Sequence, residues 1–301
     1  MPRRIPCVHG CGAEFIGKTL FSQPKLVRFM PYVHGYTPRE AERLRDQSGI
    51  LEALLHSGTA YPAGCRVLEP GCGVGAQSAI LARRHADVSF ISFDLDAGYL
   101  AQARSRLKEQ DGDRVHLARA DLRRTSFPDQ AFDHVYLCFV LEHLQDPRAA
   151  LLELKRVLKP GGTITVIEGD HGSCFWHPET RDSLTVWNAF IRVQQSLGHN
   201  PNIGRELAPL LRRAGYELVS VEPRWVYADV LDPVLLDGVV NRIIVPMVLS
   251  TESRVLDAGL VDTRIWQRGI DGIRRSGESP GGSFFYTWFK AVAVKPVLSE
   301  G

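Results

Sequence analysis

The 301-residue chain is 44% hydrophobic and 23% charged, ordinary values for a globular protein that buries a core, and they exclude a disordered or fibrous chain. Lys and Arg number 36 against 34 Asp and Glu, a formal net charge of +2. A protein whose main partner is a nucleic acid would carry a stronger basic excess, so small-molecule chemistry in one large domain, or a domain with a substantial lid, is the starting point.

Residues 1–30 form a basic, poorly periodic N-terminal extension without the apolar stretch of a signal peptide. No apolar run approaches the ~18 residues of a membrane helix, so membrane insertion is not expected. The six cysteines (Cys7, Cys11, Cys65, Cys72, Cys138, Cys174) are scattered, and read as free thiols they point to a reducing, cytoplasmic setting. Thr37-Pro38-Arg39-Glu40 predicts a helix start capped by Thr37, the helix running to about His56.

From Cys65 the pattern alternates. Strands are predicted over 66–69, 88–93, 115–117, 132–137 and 163–167, with helices over 75–84, 96–110 and 146–158 between them. Such alternation predicts a parallel sheet covered by helices on both faces. Beyond it come a helix over 183–197, a helix over 205–213, a strand over 216–221 and a largely helical stretch over 225–275. Residues 284–294, rich in β-branched and aromatic side chains, read as a last strand.

The expected organisation is therefore an extension (1–30), a helical cover (31–63), a Rossmann-like core (64–169) and a lid insertion (170–202). A core helix and strand (203–224), a second lid insertion (225–282) and a terminal core strand (283–296) complete it.

Glu69-Pro70-Gly71-Cys72-Gly73-Val74-Gly75 lies between the first strand and the first helix of the core, where glycines let backbone approach a ligand. Gly71, Gly73 and Ala76 also satisfy a dinucleotide pattern, with Asp94 at the ribose-binding distance, so this turn alone leaves NAD open. Three features favour another ligand. Glu69 puts an acid where a pyrophosphate would sit, and suits an amino-acid ammonium instead. Asp121 follows the third strand, placed to accept from an adenine amino group. The ending (strand, insertion, strand) suggests a terminal antiparallel hairpin.

In order, VLEPGCGVG (67–75), Asp94, Asp121, FDHVYLCFVLEHLQDP (132–147) and LKPGG (158–162) resemble class I S-adenosylmethionine-dependent methyltransferases. The likeness extends to bacterial small-molecule enzymes, both the ubiquinone/menaquinone type and natural-product N-methyltransferases. The fold implied is α/β: a Rossmann-like methyltransferase sheet with a terminal antiparallel hairpin and a helical lid. The cofactor implied is S-adenosyl-L-methionine, leaving as S-adenosyl-L-homocysteine. By the same resemblance Tyr36, Glu69, Gly71, Gly73, Gly75, Gln77, Asp94, Asp121, Leu122 and Phe139 are the expected cofactor residues.

Methyl transfer from a sulfonium is an in-line displacement that needs alignment and dryness, and a base only where the acceptor must lose a proton. Base candidates come from two loops at strand ends: Glu142 and His143, and Asp170 and His171. Tyr32, His34, Glu168, Trp176 and Asn202 are the expected acceptor contacts. His171, Cys174 and His177, and separately Cys7, His9 and Cys11, contain metal-ligand residue types, but neither supplies paired ligand modules and no metal is expected. All five tryptophans lie outside the core, which suits an apolar lid over a small, partly aromatic acceptor. The expected reaction is N-methylation of an amine or alkaloid-like compound, with O- or C-methylation of a phenol or quinol as the alternative. An NAD-dependent oxidoreductase and a noncatalytic S-adenosylmethionine-binding regulator are remoter readings.

Overall fold

In the computed structural model, which describes residues 32–110 and 114–297, seven strands form one sheet. They are β1 Arg66–Pro70, β2 Ser89–Asp94, β3 Val115–Arg119, β4 Phe132–Cys138, β5 Leu158–His177, β6 Glu217–Asp229 and β7 Ser283–Val294. The order across the sheet is β3-β2-β1-β4-β5-β7-β6. β1 to β5 run parallel, while β7 is antiparallel to both β5 and β6. Expectation and structure agree on this class of fold. The leader, with Cys7, His9 and Cys11, lies outside the described residues.

The parallel strands are buried on both faces, so successive side chains feed two different cores. Val67, Phe90, Tyr136 and Ile167 join one, and Leu68, Phe93, Val135 and Val166 the other. Helices α1 (Pro38–Ile50), α2 (Glu52–His56), α3 (Ala76–Arg84) and α4 (Ala97–Gln110) occupy the early part of the chain. Thr37 caps α1 by accepting the Glu40 N–H at 3.1 Å, and the predicted single helix breaks at Leu51. α5 (Pro147–Val157) starts on an Asp146 cap, and α7 (Leu207–Arg213) packs with it against the second core.

The two segments expected to form a lid hold α6 (Arg181–Ser196), α8 (Pro233–Asp237), a π-helical stretch (Gly238–Ile244), α9 (Val245–Leu249), α10 (Glu252–Asp257) and α11 (Thr263–Glu278). Two boundaries differ from expectation. β5 continues to His177, so residues 170–177 are strand rather than lid. β6 continues to Asp229, so residues 225–229 are strand rather than helix. Together with β7 they make a ribbon that projects past the parallel core. Val226, Tyr286 and Phe284 turn to its lid side, whereas Trp225 and Tyr227 are exposed on the other.

No helix among the described residues is long and apolar enough to cross a membrane. Cys72, Cys138 and Cys174 are free thiols, but Cys65 is disulfide-bonded. The expectation of six free thiols is corrected on that point, and the support it lent to a reducing compartment is withdrawn.

Candidate active site

The carboxyl edge of β1, β2, β3 and β4 carries the glycine turn, Asp94, Asp121 and Phe139 side by side. Gly71, Gly73 and Gly75 all have left-handed φ (67°, 53° and 71°). At Gly71 a Cβ would also lie 2.6 Å from Val140 Cγ2, and at Gly75 2.9 Å from Ala103 Cβ, so the tight turn tolerates no side chain there. Asp94 pins it: one carboxylate oxygen accepts the Gly73 N–H at 2.8 Å, the other the Asp96 N–H at 2.9 Å. Burial raises the Asp94 pKa, and those N–H donors hold the rise back. Leu44 of α1 lies over Gly73, and Tyr36 packs on Tyr99 with ring centres 5.0 Å apart. Phe139 is itself left-handed (φ 56°), a strained conformation for a bulky residue. Open backbone at the turn, an acid at the end of β2 and an aromatic ring after β4 fit the adenosyl cofactor that the motifs imply.

Beside this turn, between β7 and the helices of residues 238–249, is a small cavity of about 50 Å³. Its apolar wall is Leu51, Val226, Val239, Ile243, Ile244 and Met247; its polar wall is Tyr32, His34, Arg43, Glu142, His143, His171 and Tyr286. Arg43 is buried and forked onto Glu40 at 2.7 and 2.6 Å, and Glu40 also accepts the Tyr32 hydroxyl at 2.8 Å. The pocket's guanidinium charge is thereby matched.

Glu142 is different. Its Oε2 is buried with no hydrogen-bond partner. The nearest groups are the His171 Nε2 at 3.5 Å and, on Oε1, the His143 Nε2 at 3.6 Å. Burial first, then the charge of Glu168, holds the Glu142 carboxyl well above the usual carboxylate range, against the pull of Arg43. Burial and the Arg43 charge depress His171 to about 3, and burial with His199, His171 and Arg43 depresses His143. Both imidazoles are therefore neutral bases. His171 Nδ1 pairs with the Tyr286 hydroxyl at 2.8 Å.

The pocket thus brings together Tyr32, His34, Phe139, Glu142, His143 and His171 of the expected residues. Several others are placed elsewhere, and each for a visible reason. Asp170 is forked by Arg205 at 2.9 and 2.6 Å, which engages both carboxylate oxygens and ties β5 to the 203–206 turn. Glu168 accepts the backbone N–H groups of Val140, Leu141 and Glu142, clamping the turn that carries Glu142. Trp176 is buried against Phe284, with ring centres 5.9 Å apart, and donates to Ser183. Asn202 accepts the Gly172 N–H at 2.8 Å. Gln77 pairs with His56 at 2.6 Å.

Glu69 points into the sheet, taking the hydroxyls of Ser78 and Ser92, and burial raises it to about 7 despite them. Asp121 is forked with Arg123, and Leu122 is buried beside it. Among the described residues no cluster of three His, Cys, Asp or Glu is arranged to hold a metal. Sequence reasoning missed Arg43 and the individual residues of the 239–247 wall. The Glu40/Arg43 spacing of one helical turn was visible, but nothing in the sequence tells that a three-apart ion pair is buried.

A family model described as a methyltransferase domain matches residues 68–166. An uncharacterized methyltransferase of Schizosaccharomyces pombe is 29% identical over 231 residues, which is 74% of this chain and 81% of that protein. The demethylmenaquinone methyltransferase of Clavibacter sepedonicus is 42% identical over 106 residues, 35% of this chain and 42% of that one, so the chain spans less than half of this relative. Among solved structures, a Haemonchus contortus phosphoethanolamine N-methyltransferase in complex with S-adenosyl-L-methionine matches with a TM-score of 0.53 at 18% identity, over 84% of this chain and 56% of that chain. At that identity the likeness is one of fold.

Proposed function

The chain belongs to the class I S-adenosylmethionine-dependent methyltransferases, and we propose that it methylates the nitrogen of a small, largely apolar amine held in the pocket under the lid. Bound S-adenosylmethionine supplies an electrophilic methyl group on sulfur. The chain's own part is to aim the acceptor, exclude water and take up its proton. In this reading Gly71, Gly73, Gly75, Asp94, Asp121, Leu122, Phe139 and Tyr36 hold the cofactor, while Glu69 supports the turn from behind.

The observation that carries the reading is the unpartnered, buried Glu142 Oε2 in a pocket with an apolar wall. A buried acceptor without a donor costs about 1–3 kcal/mol, and an amine N–H supplies the donor. The carboxylate then removes the proton that blocks the nitrogen lone pair. Tyr32 and Tyr286 line the pocket, and aromatic rings there favour a cationic amine over a neutral isostere. An anionic acceptor finds no unmatched cation, since Arg43 is committed to Glu40.

A second reading, O- or C-methylation of a phenol or quinol, is supported by His171. Its Nε2 is buried without a partner, its ring is neutral, and Tyr286 orients it from behind. The deciding experiment is transfer of labelled methyl to panels of apolar amines, phenols and quinols by wild type, Glu142→Gln and His171→Phe. Amine turnover that collapses in Glu142→Gln is expected. Turnover confined to phenols or quinols and lost only in His171→Phe would overturn the amine assignment.

A further inference from the structure

Val239, Ile243, Ile244 and Met247, most of the pocket's apolar wall, come from one short piece of chain: the π-helical stretch and α9 behind it. The sequence explains why the helix widens there. Pro246 has no N–H to give, and in a regular α-helix its ring would collide with the Arg242 carbonyl four residues back. A wider turn relieves that collision, and the Val245 N–H bonds back five residues to the Val240 carbonyl. In an α-helix, residues four apart share a face and the fifth turns away. With bonds that skip one residue more, positions four and five along straddle the same face. Ile243 and Ile244 therefore both reach the pocket together with Val239.

This wall is fixed from behind. Gly238 lies against Ile50 of α1, where a Cβ would come within 3.0 Å of its Cδ1. Val240 packs on Gly277 of α11, where a Cβ would come within 3.1 Å of its own. Arg242 donates to both carboxylate oxygens of Asp46 on α1, from Nε at 3.1 Å. Just after α9, the Ser250 hydroxyl pairs with His34 Nδ1 at 2.7 Å and donates to the Met247 carbonyl at 2.6 Å. The wall cannot back away without breaking these contacts, so an acceptor has the room that its side chains leave. That room is small: about 50 Å³, against ~300 Å³ or more around a drug-sized ligand.

We propose that Ile244 and Met247, set on this widened and anchored turn, fix the size of the acceptor, so that the site takes molecules with a short apolar tail and refuses long ones. This rests on the pocket's being the acceptor site, as proposed above. The two side chains differ in kind. Ile244 is β-branched and held to one rotamer in a helix, which makes it a firm stop. Met247 is unbranched and adapts to the shape beside it, so it yields where Ile244 does not. Neither takes part in the proton transfer: cutting them back changes which acceptor fits and leaves Glu142 in place.

With S-adenosylhomocysteine bound, calorimetry on straight-chain alkylamines and 4-alkylphenols of increasing length gives the longest tail accepted by wild type, Ile244→Ala, Met247→Ala and Val240→Ala. Wild-type affinity should rise over the first carbons and then drop. Ile244→Ala should admit about two to three further carbons, and the first tail that the wild type refuses should bind about tenfold or more tighter. Met247→Ala should give a smaller gain of the same sign. Val240→Ala removes bulk from the side packed on α11 and should leave the limit where it is. Ile244→Val reads the same shift on a smaller scale if the alanine variant does not fold. A limit unmoved in the Ile244 variants, or moved as far by Val240→Ala, would overturn the assignment, as would binding of neither series to any of these proteins. The head group judges the amine reading separately: phenols bound in place of amines defeat that reading, whereas a tail limit shifted by Ile244→Ala still upholds the wall.

Discussion

Glu142 and Asp170 are both acids in loops at strand ends, yet their surroundings assign them opposite work. Asp170 is saturated by the Arg205 fork, whereas Glu142 has an oxygen with nothing to accept. Glu142→Gln keeps the shape and removes the proton acceptor, so kcat for an amine should fall by about 10²–10⁴-fold, the usual worth of a general base. Because the Glu142 carboxyl is raised, the base form grows as pH rises through neutrality. kcat/KM for the wild type should therefore climb on the alkaline side of neutrality, and the climb should vanish in the variant. A second prediction concerns the turn. Gly71→Ala forces a left-handed alanine against Val140, costing about 1–3 kcal/mol, and calorimetry should show weakened S-adenosylhomocysteine binding. The glycines, Asp94 and the Glu142-His143 pair were legible in the sequence because they form a local pattern. The fates of Glu168, Gln77 and Asn202 were not, because the partner that satisfies a polar side chain is chosen by tertiary structure.

At the scale of elements, the strands of the parallel core could be read from their alternation with helices, and the ribbon could not. Residues 225–229 alternate in burial as a strand should, with Val226 and Ala228 inward and Trp225 and Tyr227 outward. Both faces are apolar or aromatic, so the period of two is invisible in the sequence. That hidden strand matters, because it delivers Val226 to the pocket wall beside Tyr286 of β7. The Asp170–Arg205 fork holds the start of the β5 extension to the 203–206 turn. Asp170→Asn leaves a half-exposed arginine that water can solvate, so the loss should be modest, about 1–3 kcal/mol, seen as a lower Tm. Turnover should stay close to wild type. A collapse of kcat with unchanged Tm would return Asp170 to the chemistry.

Over the whole molecule, buried acids and buried imidazoles titrate against one another, and their balance sets the pH at which the ligand-free fold is most stable. His34, His56, His134, His143 and His171 all have folded pKa values depressed by burial, with His56 and His134 at about 4. Below about 6.5, the ordinary imidazole value, the unfolded chain binds protons that the folded one refuses, so stability rises with pH up to that point. Burial raises Glu69 to about 7, and lifts Glu142 and Glu168 above the usual carboxylate range. For these the folded chain is the one that holds the proton, so stability falls with pH from the ordinary carboxylate range up to their folded values. The more numerous imidazoles win on the acid side. Past their ordinary value they are neutral in both states, and only the carboxyls still titrate. Ligand-free stability should therefore peak close to neutral on the acid side and decline through and above neutrality. A cationic amine paired with Glu142 keeps that carboxylate charged, which should flatten the decline. Calorimetric Tm measured across this range, with and without S-adenosylhomocysteine and an amine, checks both arms. A ligand-free Tm that keeps rising through neutrality would mean that these carboxyls are ionised in the folded apo-protein, and the pocket would then meet its acceptor already carrying the negative charge.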